Sequence, residues 1–125
     1  ELSTGEKIPF KTSKVGIFKD IPGVFVLIDQ GSASASEILA AALRDNIGAK
    51  IIGMKSFGKG TIQDAKDFKD GSGLHVTIAK WLTPKEEWVH KNGLEPDVVV
   101  EVTEEDLDNS IDAQLNKALE MAKEI

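Results

Sequence analysis

Cysteine is absent from this 125-residue chain, which excludes disulfide bonds, thiolate nucleophiles and cysteine metal sites together. The chain has two histidines, His75 and His90, which are too few and too isolated to indicate a metal site. No apolar run approaches the roughly 20 residues that a membrane span needs. The sequence begins at Glu1 and shows no signal-peptide pattern. We therefore expect no metal ion and no other cofactor.

Acidic residues outnumber basic ones, 21 to 15, giving a formal net charge of −6 and a pI of about 4.9. This balance argues against nucleic acid and against anionic membrane surfaces as partners. The hydrophobic content of 41% can build a core, and the length suits one domain.

The first half of the chain predicts a β-strand, an α-helix and a second β-strand in succession. Residues 1–23 look irregular, with one short strand near Val15–Phe18. Residues 24–29 predict a strand, because they are apolar without a break from Val24 to Ile28. Such a run is typical of a strand buried on both faces of a parallel sheet. A helix over residues 34–46 and a strand over residues 49–53 complete a βαβ unit, whose crossover should be right-handed.

The predicted helix is amphipathic and has recognisable ends. Glu37 falls in its first turn, where a carboxylate suits the helix dipole, and Asn46 and Gly48 are stop residues. Five apolar residues form one stripe at helical spacing. They are Ile38, Leu39, Ala42, Leu43 and Ile47.

The second half predicts a β-hairpin, a short strand and a C-terminal helix. Strands over residues 61–69 and 74–82 flank the turn Asp70–Gly73, and Leu74, Val76 and Ile78 should share one face. A strand follows at residues 98–102. The last helix is amphipathic, with Asn109 or Ser110 as its cap and Asp112 in its first turn.

The serine-rich stretch from Gln30 to Ile38 is where the predicted strand turns sharply into the helix. Unpaired N–H groups at a helix start carry partial positive charge and can stabilise an oxyanion beside a serine such as Ser34. A sharp strand-to-helix turn presents the nucleophile in other hydrolases, although their Gly-x-Ser-x-Gly pattern is absent here. The alternative is that Ser32, Ser34 and Ser36 are small residues that fill a turn and cap a helix.

The glycine-punctuated loop from Gly53 to Gly60 contains Lys59. It matches most of a phosphate-binding loop, but Gly60 stands where such a loop needs Ser or Thr for magnesium, and no helix pattern follows. This argues against nucleotide binding. Two interpretations remain, a loop whose lysine faces solvent and a lysine that acts as a base.

Ser34 and Lys59 together resemble the Ser–Lys variant of the serine–base arrangement. A lysine can act as a base only when neutral, so its ordinary pKa of about 10.4 has to be lowered by burial or by a nearby helix N-terminus. Gln63 could hold the lysine amine if the chain bends at Gly60; otherwise it is a surface glutamine.

Two other groups of residues that could carry chemistry have less support in the sequence than the Ser34–Lys59 pair. His75 and His90 are isolated, and nothing in the sequence brings either to Ser34 as part of a Ser–His–Asp triad. The carboxylates between Glu104 and Asp108 suit a solvated segment that complements the dipole of the last helix.

Several motifs in order resemble the carboxyl-terminal processing (tail-specific) serine peptidases. They are the stretch from Gly31 to Ile38, the sequence Phe57-Gly58-Lys59-Gly60-Thr61-Ile62-Gln63, the segment 77–84 and the turn 93–97. The resemblance covers residues 24 to 125. It implies an α/β, crotonase-like fold shared with the Clp proteolytic subunit: a βαβ core, a following hairpin and a C-terminal helix.

The resemblance also implies a serine endopeptidase that cleaves unfolded or tagged proteins near their C-termini. In that family Ser34 would match the nucleophile, Lys59 the general base and Gln63 the residue that orients the lysine. The backbone N–H of Ala35 would be one oxyanion donor. The alternative is a non-catalytic interaction fragment of the same fold.

Two features of the family are missing from residues 1–125: a PDZ domain that binds the substrate tail and an upstream glycine-rich turn that supplies the second oxyanion donor. We therefore expect the C-terminal part of a peptidase catalytic domain, weakly active or inactive when isolated. Its implied partners are polypeptide C-terminal tails, the remainder of the same peptidase and further copies of itself. The implied location is extracytoplasmic, in the periplasm or cell envelope.

Overall fold

The computed structural model describes residues 1–13 and 21–125. Within them the order of elements is β1 (Phe25–Ile28), α1 (Ala35–Ile47), β2 (Lys50–Gly53), β3 (Thr61–Asp67), β4 (Gly73–Lys80), β5 (Val98–Val99), α2 (Glu104–Asp108) and α3 (Ala113–Ala122). The described part of the chain has no helix long and apolar enough to cross a membrane.

Three of the described strands form a parallel sheet in the order β1-β2-β5. Strand β1 pairs with β2 from Phe25 opposite Lys50 to Ile28 opposite Gly53. This parallel pairing across α1 is the predicted βαβ unit, since parallel neighbours need a crossover connection. The residues that the sheet buries most deeply are Ile51 and Ile52, both with no exposed surface.

Helix α1 forms where predicted, but its apolar stripe is not its most buried face. Glu37, Ala40 and Ala41 have no exposed surface, whereas Ile38 and Leu39 are 44% and 60% exposed. The small alanines let the helix lie close against the sheet. At the other end Gly48 takes the left-handed conformation, with φ of 71°, which a glycine adopts without steric cost.

The predicted hairpin is present as β3 and β4, paired antiparallel in a separate two-stranded sheet. Its register shifts between Ile62 and Gln63, so that Ile62 faces Ala79 and Gln63 faces Thr77. Ile78 is thus the extra residue of a β-bulge, which interrupts the expected regular alternation. At the turn, Asp70 Oδ1 accepts hydrogen bonds from the backbone N–H (3.0 Å) and hydroxyl (2.6 Å) of Ser72.

The N-terminal segment contacts the same hairpin. Leu2 forms an isolated antiparallel bridge with Ala79, and the N-terminal ammonium of Glu1 donates to the carbonyl of Lys80 at 2.7 Å. Residues 3–13 are otherwise without helix or strand, as expected. The short strand expected near Val15–Phe18 lies outside the described residues.

The C-terminal region corrects two predictions. Strand β5 spans only Val98–Val99 rather than residues 98–102, because its partner β2 ends at Gly53. The acidic run forms a separate helix, α2, capped by Thr103. Asn109 and Ser110 therefore end or follow α2 and do not cap α3. The N-cap of α3 is Asp112, whose carboxylate accepts from Leu115 N–H at 2.8 Å.

Candidate active site

Two segments meet at the carboxyl ends of β1 and β2. The serine turn (residues 29–34) leads from β1 into α1, and the lysine loop (residues 54–60) leads from β2 into β3. Because β1 and β2 are parallel neighbours, the segments that follow them emerge at the same edge of the sheet. The parallel pairing of β1 and β2 thus brings the backbones of Ser34 and Lys59 to the same edge of the sheet.

Ser34 is the N-cap residue of α1 and has a positive φ, with φ of 54° and ψ of −108°. Non-glycine residues rarely adopt positive φ, and strain of this kind is found at sharp turns that present functional groups. The turn is supported by Asp29, which accepts from Gly31 N–H at 2.9 Å and from the hydroxyl of Ser32 at 3.1 Å. Ala35 begins the helix and is exposed, so its N–H has no acceptor within the helix.

Glu37 joins the serine turn to the lysine loop. Its Oε2 atom accepts from the backbone N–H of Ser34 at 2.8 Å and from that of Lys59 at 2.9 Å. Its Oε1 atom accepts from Gly58 N–H at 2.7 Å and from the hydroxyl of Ser56. Two protein donors for each oxygen compensate this fully buried carboxylate for the loss of water.

Sequence reasoning placed Glu37 in the first helical turn for its charge alone and missed this bridging role. The spacing Ser34-x-x-Glu37 is the pattern of a capping box, in which the glutamate accepts from the N-cap N–H. That signal predicts the bond to Ser34. The bonds to residues 56, 58 and 59 depend on tertiary structure that no local pattern specifies.

A third segment, the closing loop (residues 84–97), holds the lysine loop from the other side. Ser56 N–H donates to the carbonyl of Leu94 at 3.1 Å, and Lys91 N–H donates to the carbonyl of Gly58 at 2.8 Å. The lysine loop also bonds the serine turn directly, through Phe57 N–H and the carbonyl of Ser32 at 2.9 Å.

The predicted site residues are brought together to different degrees. The backbone nitrogens of Ser34 and Lys59 both donate to Glu37 Oε2, at 2.8 Å and 2.9 Å. The distance between the two nitrogens therefore cannot exceed the sum of these two hydrogen-bond lengths. Their side chains are not hydrogen-bonded to each other, and the Lys59 side chain is exposed. Gln63 lies on β3 beyond Gly60, is also exposed and pairs with Thr77 at the register shift.

Residues 10–100 match the model of peptidase family S41. The match covers more than half of the chain, and the chain therefore belongs to peptidase family S41. Its α/β fold is that of the serine peptidases expected from the sequence motifs.

The curated relatives include proteins named for carboxyl-terminal processing. The carboxy-terminal processing protease CtpA of Bacillus subtilis (strain 168) is 49% identical over 102 residues, which are 82% of this chain and 22% of that protein. The carboxyl-terminal-processing protease of Synechocystis sp. is 46% identical over 99 residues, covering 77% of this chain and 23% of that protein. The chain thus spans about a fifth of the length of these relatives.

Solved structures carry the same fold. The photosystem II D1 C-terminal processing protease is 46% identical, with a TM-score of 0.56 over 63% of this chain and 20% of that one. The tricorn protease is 20% identical, with a TM-score of 0.69 over 82% of this chain and 10% of that one. At the lower identity the likeness shows the fold alone, which agrees with the predicted crotonase-like class.

Proposed function

We propose that this chain carries the nucleophile and the base of a serine endopeptidase that processes polypeptides near their C-termini. The observation that carries the proposal is the shared Glu37 oxygen, which joins the backbone of Ser34 to the backbone of Lys59 at the start of a helix. A reacting carbonyl next to Ser34 would also lie near the N–H of Ala35, the first residue of the helix.

In the proposed mechanism the Ser34 hydroxyl attacks the scissile carbonyl carbon while the neutral Lys59 amine takes the hydroxyl proton. The N–H of Ala35 stabilises the negative charge that forms on the carbonyl oxygen. Lys59 then returns the proton to the departing amine, and the acyl group stays on Ser34. Lys59 next takes a proton from water, and the resulting hydroxide attacks the acyl carbon. Lys59 then gives that proton to Ser34 Oγ, which releases the carboxyl product and restores the serine hydroxyl and the neutral amine. Gln63 orients the lysine amine.

The Lys59 side chain has to be shielded from water before Lys59 can act as a general base. A lysine in solvent is protonated at neutral pH, and desolvation favours its neutral form. Since the Lys59 side chain is exposed in this chain, we expect the remainder of the peptidase, or bound substrate, to cover it. The 125-residue chain alone should accordingly show weak activity or none.

The relatives' names support the proposed substrate class, which is polypeptide tails. The proposal extends to an upstream part with a tail-binding PDZ domain, to an extracytoplasmic location and to self-association. These rest on the family resemblance.

The test uses the intact protein from which this sequence comes, with unfolded β-casein as the probe substrate. Ser34→Ala should abolish cleavage, and Lys59→Ala should lower kcat by about 100- to 10,000-fold, the usual contribution of a general base. Matched controls are Ser36→Ala, an exposed serine two positions away, and Lys55→Ala, an exposed lysine of the same loop.

Both controls should keep their activity within about twofold, as expected for surface positions. Retained cleavage by correctly folded Ser34→Ala would overturn the proposal.

The alternative is a non-catalytic interaction segment. It is favoured by the apolar residues that the described part leaves exposed, among them Leu39 at 60% and Ile78 at 50%, because exposed apolar surface often marks a place of association. Intact protein that binds β-casein without cleaving it would support this alternative.

A further inference from the structure

Side chains hold the backbone on both sides of Lys59. Its N–H donates to Glu37 Oε2 at 2.9 Å, and its carbonyl accepts from the indole N–H of Trp81 at 2.8 Å. Because peptide groups are planar, fixing the two that flank a residue fixes the direction of its Cα–Cβ bond. The lysine side chain thus leaves the backbone in a set direction even though its amine is exposed.

The next peptide is held in the same way. The carbonyl of Gly60 accepts from the indole N–H of Trp88 at 2.8 Å and from the backbone N–H of Trp81 at 3.2 Å. The Trp88 ring is itself oriented by a stacked His90 ring, 5.1 Å away between centroids, and by Lys80 Nζ, 5.2 Å from its centroid. Both tryptophans of the chain therefore donate to consecutive carbonyls beside one lysine.

The glycine at position 60 is what permits this approach. A Cβ atom there would lie 2.9 Å from Trp88 Nε1 and 2.7 Å from His90 N, closer than real Cβ contacts. Any larger residue would displace the indole from the carbonyl that it binds. The contact is thus built into the sequence at positions 60 and 88 together.

We propose that Glu37, Trp81 and Trp88 form a clamp that aims Lys59 at Ser34, and that all three are positioning residues of the peptidase. The clamp is tied to the nucleophile because Glu37 Oε2 also accepts from Ser34 N–H at 2.8 Å. The inference rests on the proposed function, since aiming the lysine matters only if Lys59 is the base. It gives Trp88, in the closing loop, a positioning role in catalysis.

The experiment measures kcat and KM against pH for the intact protein, with β-casein as substrate, in Trp88→Phe and Trp81→Phe. Phenylalanine keeps an aromatic ring and removes the indole donor. Each change should lower kcat by about 10- to 100-fold, since small misplacements of catalytic groups cost this much, with KM within twofold. The acidic limb of the kcat profile should move to higher pH, because a displaced amine stays more solvated.

The matched control is Phe68→Leu, which alters a half-exposed aromatic at the far end of the hairpin. It should leave kcat and the pH profile unchanged. Trp88 is 45% exposed, so Trp88→Phe should fold even if Trp81→Phe does not. Thermal unfolding of each variant separates misfolding from misplacement.

Wild-type kcat and an unshifted pH profile in folded Trp88→Phe would overturn the clamp, provided that Ser34→Ala is inactive. If folded Ser34→Ala still cleaves β-casein, the proposed function fails first, and the clamp fails with it.

Discussion

The parallel sheet and the hairpin both contain β-branched apolar residues and differ in what covers them. Ile51 and Ile52 of β2 have no exposed surface, whereas Val76 and Ile78 of β4 are 48% and 50% exposed. The sheet is packed against α1 and α3, and within the described residues no helix layer packs on the hairpin. The burial of these four residues is therefore decided by the neighbouring layer and not by the type of side chain. The candidate site lies where these two regions meet, since Lys59 is separated from the start of β3 by Gly60 alone.

The largest difference that we expect between the parallel sheet and the hairpin is in the free energy of unfolding lost when a glycine with positive φ is replaced. Gly53 in β2 has φ of 126° and Gly71 in the hairpin turn has φ of 85°. A Cβ at Gly53 would overlap the carbonyl oxygen of Ile28, whereas Gly71 has nothing within 4 Å of that position. Gly53→Ala should thus combine backbone strain with overpacking and lower the free energy of unfolding by about 3 kcal/mol or more.

Gly71→Ala carries the backbone strain alone and should cost about 1–2 kcal/mol. Urea unfolding of the intact protein, followed by circular dichroism, compares the two variants. Equal losses would show that the hairpin turn is as tightly enclosed as the sheet.

The second difference is in the free energy of unfolding lost when an apolar side chain of each region is truncated to alanine. Ile51→Ala removes a fully buried side chain and leaves a cavity in the core, which should cost about 2–5 kcal/mol. Val76→Ala removes a half-exposed side chain and should cost less than about 1 kcal/mol. Hydrogen exchange at the amides of each region measures both. A loss above 2 kcal/mol for Val76→Ala would indicate that the intact protein covers the hairpin.

The smallest difference is in the pH-dependent contribution to stability of two aspartates, Asp45 in the helix that packs on the sheet and Asp70 in the hairpin turn. Burial raises the pKa of Asp45 in α1, but the hydrogen bond and charge of Arg44, together with Lys85 N–H, outweigh it and lower the pKa overall. A lowered pKa stabilises the fold above the ordinary carboxyl value, about 3.9, and that stabilisation is lost as the pH falls through the folded-state pKa.

Asp45→Asn should therefore cost about 1–2 kcal/mol at pH 7, and its difference from the parent protein should shrink below about pH 4. The hydroxyl and N–H of Ser72 lower the pKa of Asp70 in the exposed hairpin turn, so Asp70→Asn should follow the same trend with a smaller effect. Urea midpoints between pH 3 and pH 7, each referred to the parent protein, test both. A loss for Asp45→Asn that does not change with pH would contradict the assigned cause.

Local sequence patterns predicted the positions of the helices, strands and turns well, but they did not predict which side chains are buried or which distant residues they contact. The apolar run 24–28 predicted β1, the serine turn predicted the start of α1, and Asp70–Gly73 predicted the hairpin turn. These depend on neighbours in sequence. The burial of Glu37 and the roles of Trp81 and Trp88 depend on contacts between segments twenty or more residues apart, which no local period encodes.

The same limit explains the errors near the C-terminus. Both Asn109 and Asp112 are good N-cap residues by type, and only the presence of α2 decides between them. Likewise, the length of β5 was set by where its partner strand ends, not by the valine-rich segment 98–102.

The order of the parallel strands has a kinetic consequence. Pairing β1 with β2 closes a loop from Phe25 to Lys50, whereas adding β5 requires Ile52 to meet Val98 across the hairpin and the closing loop. Shorter loops cost less entropy to close, and local contacts favour fast folding. The unit that carries Ser34, and from which the lysine loop departs, should thus be the first part of the sheet to assemble. The tryptophan contacts that complete the surroundings of Lys59 come later, as the chain downstream folds back onto it.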